Sequence, residues 1–107
     1  MAPQRARVTD RIFHITTREV WEQQKPSGRY RHASLDTEGF IHCSDEGQVE
    51  PTWRRIFGAQ SGLIVLEINV EQLESELRYE EGEPDEMYPH IYGPINVDAV
   101  ASVTVLP

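Results

Sequence analysis

Leu63-Ile64-Val65-Leu66-Glu67-Ile68 is the most continuous apolar run in the chain and decides how the rest is read. Six residues are too few for a typical helix. A run that is nearly continuously apolar, with three β-branched residues, marks a strand with both faces covered. It is therefore expected to be the spine of a sheet. Arg11 to Ile15, Phe40 to Cys43, Leu77 to Glu80, Tyr88 to Tyr92 and Ala101 to Leu106 read as further strands.

Helices are expected mainly in the first half. Thr16 followed by Glu19 has the spacing of a capping box and predicts a helix start, with Val20 and Trp21 as its apolar stripe and Pro26-Ser27-Gly28 as its stop. Ser44 or Asp45 would cap a second helix, whose Val49, Trp53, Ile56 and Phe57 fall on one face. Pro51 suits the first turn of a helix and so predicts a one-turn prelude before it. Asn69 with Gln72 resembles a cap over a short helix, whereas Ala33 to Glu38 and the acidic Glu81 to Glu86 read as loops. Gly93-Pro94 and Asp98-Ala99 punctuate the last strands. The class that follows is α+β, a compact mixed and largely antiparallel sheet with two main helices.

With 107 residues, Arg11 to Pro107 is expected to form a single globular domain behind a loose tail over residues 1–10. No apolar run approaches the roughly 20 residues of a membrane helix, and no secretory leader is evident, so no membrane partner and a cytoplasmic location are expected. The formal charge of -8 opposes phosphate attraction, so DNA is not an expected partner. The excess is local, because nine carboxylates lie between Glu67 and Glu86, whereas Arg5, Arg7, Arg11, Arg18, Arg29 and Arg31 lie in the first third. A small anionic or nucleotide-like ligand could still meet a positive pocket. A protein partner stays open, with the acidic Glu67 to Glu86 region as its candidate surface if the histidines are structural.

Chemistry concentrates around three histidines among apolar neighbours: His14, His42 and His90. Thr16, Ser44 and Tyr92 each follow one of them by two residues, on the same strand face if the strand continues. Imidazole can donate, accept, titrate near pH 6.5 or bind metal, so these residues are the candidate catalytic groups. Three convergent histidines would also supply an open zinc site, but their separations match no short metal signature. Zinc is the weaker expectation, and no metal ligands are assigned. Cys43 is adjacent to His42 and therefore points to the opposite face, which favours core packing over a nucleophile–base pair. Ser44 lacks a glycine-flanked elbow. Two other readings stay open: a non-catalytic module for a small anion or a protein, and histidines that serve a structural polar network.

Phe13-His14-Ile15-Thr16, Glu38-Gly39-Phe40-Ile41-His42-Cys43-Ser44 and Pro89-His90-Ile91-Tyr92-Gly93-Pro94 resemble the family catalogued as domain of unknown function 952, over roughly Arg11 to Pro107. That family is similar to compact relatives of the ADP-ribosyltransferase superfamily, which includes RNA 2′-phosphotransferases. The resemblance implies a split mixed sheet holding NAD in a central cleft. His14 and Thr16 would then hold the nicotinamide ribose or carboxamide, and Ser44 would be a ligand contact at the end of the second motif. Tyr30 or Tyr92 would stack on a planar ring, Arg29 or Arg31 would meet a phosphate, and His42 would bind or act as general acid/base. The protein-modifying branches of the superfamily usually have a glutamate at the third motif, where this chain offers His90 and Tyr92.

Overall fold

The computed structural model describes residues 10–107. The expected tail over residues 1–10 lies outside that range except for Asp10. The elements in chain order are β1 (Arg11–Thr17), α1 (Arg18–Gln24), β2 (Arg29–Tyr30), α2 (Ser34–Thr37), β3 (Ile41–His42), α3 (Val49–Thr52), β4 (Leu63–Asn69), β5 (Glu76–Glu83), β6 (Glu86–Tyr92), β7 (Ile95–Asn96) and β8 (Val100–Val105). The fold is α+β with antiparallel pairings throughout the described ladders, in the orders β1-β4-β8, β3-β6-β5 and β2-β7.

β4 lies between β1 and β8, as its apolar run demands. Ile64, Leu66 and Ile68 alternate onto one face and pack with Ile12, Trp21, Tyr30, Ile41, Ile91 and Ile95. Leu63 and Val65 take the other face and meet Ile15 under Val49, Trp53 and Phe57. A reciprocal backbone pair between Phe13 and Ser44, at 2.7 and 2.8 Å, joins β1 to the chain leaving β3. This bridge brings β1 and β3, which carry His14 and His42, side by side.

Four local expectations are corrected. The first helix is capped by Thr17, whose hydroxyl accepts from the Val20 amide at 3.1 Å. Thr16 is still held in the β1 ladder opposite Ile64, which turns its hydroxyl inward. The helix of Val49 and Trp53 continues as a π-helical turn over Trp53–Phe57, closed by the Gly58 amide on the Trp53 carbonyl. That wider turn rotates Ile56 off the apolar face, leaving it 62% exposed. Ala33 to Glu38 contains α2 rather than a plain loop.

The acidic stretch is also mostly strand. β5 runs to Glu83, and a turn with Asp85 at φ 63° returns the chain into β6. Cross-strand pairing with Met87 and Tyr88 carries these carboxylates along the ladder despite their weak strand preference. Gly82 is needed there, because a Cβ would stand 2.6 Å from the Tyr88 ring. Among the described residues, no helix is long and apolar enough to cross a membrane.

Candidate functional site

His42 and His90 are direct cross-strand partners, so their side chains leave the same face of the β3–β6 pair. Their ring centroids are 5.4 Å apart. Phe40 stacks on His90 with centroids 4.0 Å apart and planes 16° from parallel. His14 enters from β1, and His32, from the turn before α2, meets it edge to face at 5.2 Å. All four histidines line one cavity of about 660 Å³, with Phe13, Phe57 and Tyr88 among its aromatic walls. That volume suits a nucleotide-sized molecule.

The hydrogen bonds assign distinct chemistry to each imidazole. His14 is 3% exposed, and burial holds it well below its ordinary value, to about 3. It is therefore neutral, with one N–H. A carbonyl can only accept, so the proton sits on Nδ1 and is donated to His42 O at 2.7 Å. Nε2 then accepts from the Tyr30 hydroxyl at 2.9 Å. The Tyr30 proton being spent, Thr16 Oγ1, 2.8 Å away, donates to the phenol oxygen. Burial raises the phenol above its ordinary range, so it stays protonated.

His90 is held differently. Its Nδ1–H donates to the Glu80 carboxylate at 2.8 Å, and the Tyr92 hydroxyl donates to the same oxygen. These bonds, from Tyr92 first and His90 second, lower the Glu80 carboxyl below its usual range. In the neutral ring Nε2 keeps its lone pair, with no partner among the described residues. His32 has the opposite polarity. Its Nδ1 accepts from the Ser34 amide at 3.0 Å, leaving Nε2–H as the donor. Burial, then the neighbouring His42, lowers the His32 imidazole, with Glu38 opposing. His42 is exposed and donates from Nε2 to Glu38 at 3.0 Å.

The expected ligand contacts divide. Ser44 lines the cavity, 4% exposed. Tyr30 is fully buried and cannot stack on a ligand, because its ring packs against Trp21 and its hydroxyl serves His14. Thr16 is likewise occupied by Tyr30. Tyr92 leans over Glu80 with the Arg78 guanidinium 4.2 Å from its ring centroid, and it is not part of the cavity wall. Arg29 pairs with Glu74 and Arg31 with Asp36, both outside this cavity, whose guanidinium is Arg55. Cys43 is in the main core, where burial pushes its thiol up and out of thiolate chemistry. Among the described residues, no three His, Cys, Asp or Glu side chains are placed to hold a metal.

Sequence reading missed His32, Glu80 and Phe40. The signal for Glu80 was the hairpin itself, since its register sets Glu80 opposite Tyr88 and diagonal to His90.

Residues 15–103 match the profile of a family described as Protein of unknown function (DUF952). The chain belongs to the DUF952 family. This DUF952 chain is similar to the crystal structure of protein CC0527 from Caulobacter crescentus, at 31% identity and a TM-score of 0.83, over 91% of this chain and 86% of that one. The solution NMR structure of CC0527 agrees, at 30% identity and a TM-score of 0.78 over 92% and 85%. No curated protein matches this DUF952 chain.

Proposed function

We propose that the histidine cavity binds, and acts by acid/base chemistry on, the nicotinamide-ribose end of NAD or a related ribosyl nucleotide such as ADP-ribose. The observation that carries this reading is the Glu80–His90 pair: a carboxylate fixes Nδ1–H so that the lone pair of Nε2 is left for the cavity. The resemblance of the three histidine motifs to the pattern of the ADP-ribosyltransferase superfamily supports it, although both ring nitrogens of buried His14 are taken by His42 O and Tyr30, so that His90 rather than His14 meets the ligand. Where the protein-modifying branches of that superfamily usually have a glutamate in the third motif, Glu80 on β5 brings a carboxylate to His90 and Tyr92 from the adjacent strand.

In the transfer step, the C1′–N bond to nicotinamide breaks and nicotinamide leaves neutral. A C1′–O bond forms to an acceptor hydroxyl, whose proton goes to His90 Nε2. Glu80 would stabilise the resulting imidazolium. Glu38, Glu81 and Glu83 outnumber Arg55 around the cavity, a balance that favours positive charge developing on the ribose. Phe40 takes the stacking role that Tyr30 and Tyr92 cannot.

Calorimetric titration with NAD and with ADP-ribose tests the reading. Wild type is expected to bind at least one of them, and His90→Ala to weaken it by about tenfold, equivalent to about 1.4 kcal/mol. Glu80→Gln keeps an acceptor for Nδ1–H and is expected to lose less. Saturable binding without nicotinamide release would assign a non-catalytic module to the same cavity; no binding of either ligand would contradict the proposal.

A further inference from the structure

A second cavity of about 410 Å³ adjoins the first and shares Ile15, His32 and Phe57 with it. The two differ in charge. Among the described residues, the histidine cavity has three carboxylates against Arg55, whereas Arg31 is the only formally charged side chain lining the second. They are also connected through the interior, because Thr16 lines the second cavity and reaches His14, in the first, through the Tyr30 hydroxyl. His32 stands between them with its Nε2–H available.

We infer that the two cavities form one bipartite site for a dipolar ligand, with an uncharged or cationic ring in the histidine cavity and an anionic group, such as a phosphate monoester, held by Arg31 across His32. The inference rests on the proposed nucleotide reading and adds an orientation and an anchoring residue to it. Arg31 pairs with Asp36 at 3.1 Å, but both side chains are more than half exposed, at 53% and 79%. Such a surface pair contributes little and yields readily to a phosphate, which the guanidinium fork can bind through two parallel hydrogen bonds. A diphosphate placed instead among Glu38, Glu81 and Glu83 would meet like charge on three sides.

The probes are nicotinamide mononucleotide and nicotinamide riboside, which differ only by the phosphate. Wild type is expected to bind the mononucleotide more tightly. Arg31→Ala should weaken the mononucleotide by about tenfold while leaving the riboside within about twofold, since only a charge-assisted contact is lost. Asp36→Asn, which releases Arg31, should hold or tighten the mononucleotide. Arg31→Ala affecting both ligands equally, or neither, overturns the bipartite site and leaves the histidine cavity standing. Failure of both ligands to bind wild type overturns the cavity reading and this inference together.

Discussion

Lowering the pH from 7 to 4 is expected to remove about 3 kcal/mol of stability through His14 alone. Burial keeps this imidazole neutral in the folded chain down to about pH 3, whereas the unfolded chain takes up a proton near its ordinary 6.5. Between those values the unfolded state binds the extra proton, so stability present above about pH 6.5 is lost as the pH falls toward 3. The folded state cannot follow, because protonating Nε2 would turn an acceptor of the Tyr30 hydroxyl into a second donor. Urea unfolding of wild type and His14→Asn at a series of pH values checks this. The amide of Asn retains a donor for His42 O without a titrating group. The wild-type curve should fall more steeply by about 3 kcal/mol over that interval; parallel curves would mean that His14 does not titrate as its burial requires.

Replacing Tyr30 with alanine is expected to destabilise the fold by about 3 to 5 kcal/mol, the range for emptying a large buried aromatic site. Tyr30 is 0% exposed and lies between Trp21 and His14, with ring centroids 6.0 and 5.4 Å away, so little can collapse into the gap. Tyr30→Phe isolates the hydroxyl. It keeps the packing but strands the acceptor of buried His14 and the hydroxyl of Thr16, at about 1 to 3 kcal/mol. Chemical denaturation of both variants gives the two quantities. A phenylalanine variant as stable as wild type would show that the Thr16–Tyr30–His14 chain contributes nothing.

This buried chain also marks where sequence reading succeeds and where it stops. β4 was legible because its apolar run needs no long-range information, and the opposite faces of His42 and Cys43 followed from strand alternation alone. Tyr30 was read as a ligand contact because Arg29-Tyr30-Arg31 is cationic, yet its partners come from β1, 14 and 16 residues away. Only tertiary packing turns it inward. Thr16 and Thr17 are both competent caps, and the choice between them follows from strand alternation, which turns the Thr16 hydroxyl inward to Tyr30 and leaves that of Thr17 to the Val20 amide. Glu80 was read as the last residue of a strand, and only pairing with β6 set its carboxylate against His90. His32 lacks an apolar setting and became part of the site only through the α2 turn that Ser34 opens.

The central claim is that partners outside the cavity prepare one acceptor, His90 Nε2, and one donor, His32 Nε2–H, for a ligand. Imidazole ¹⁵N NMR, with NAD or ADP-ribose added stepwise, tests it most directly. Protons are expected on His14 Nδ1, His90 Nδ1 and His32 Nε2, with the His90 and His32 Nε2 resonances moving as ligand binds. An unprotonated His90 Nδ1, or a His90 Nε2 resonance that neither ligand moves, would contradict it.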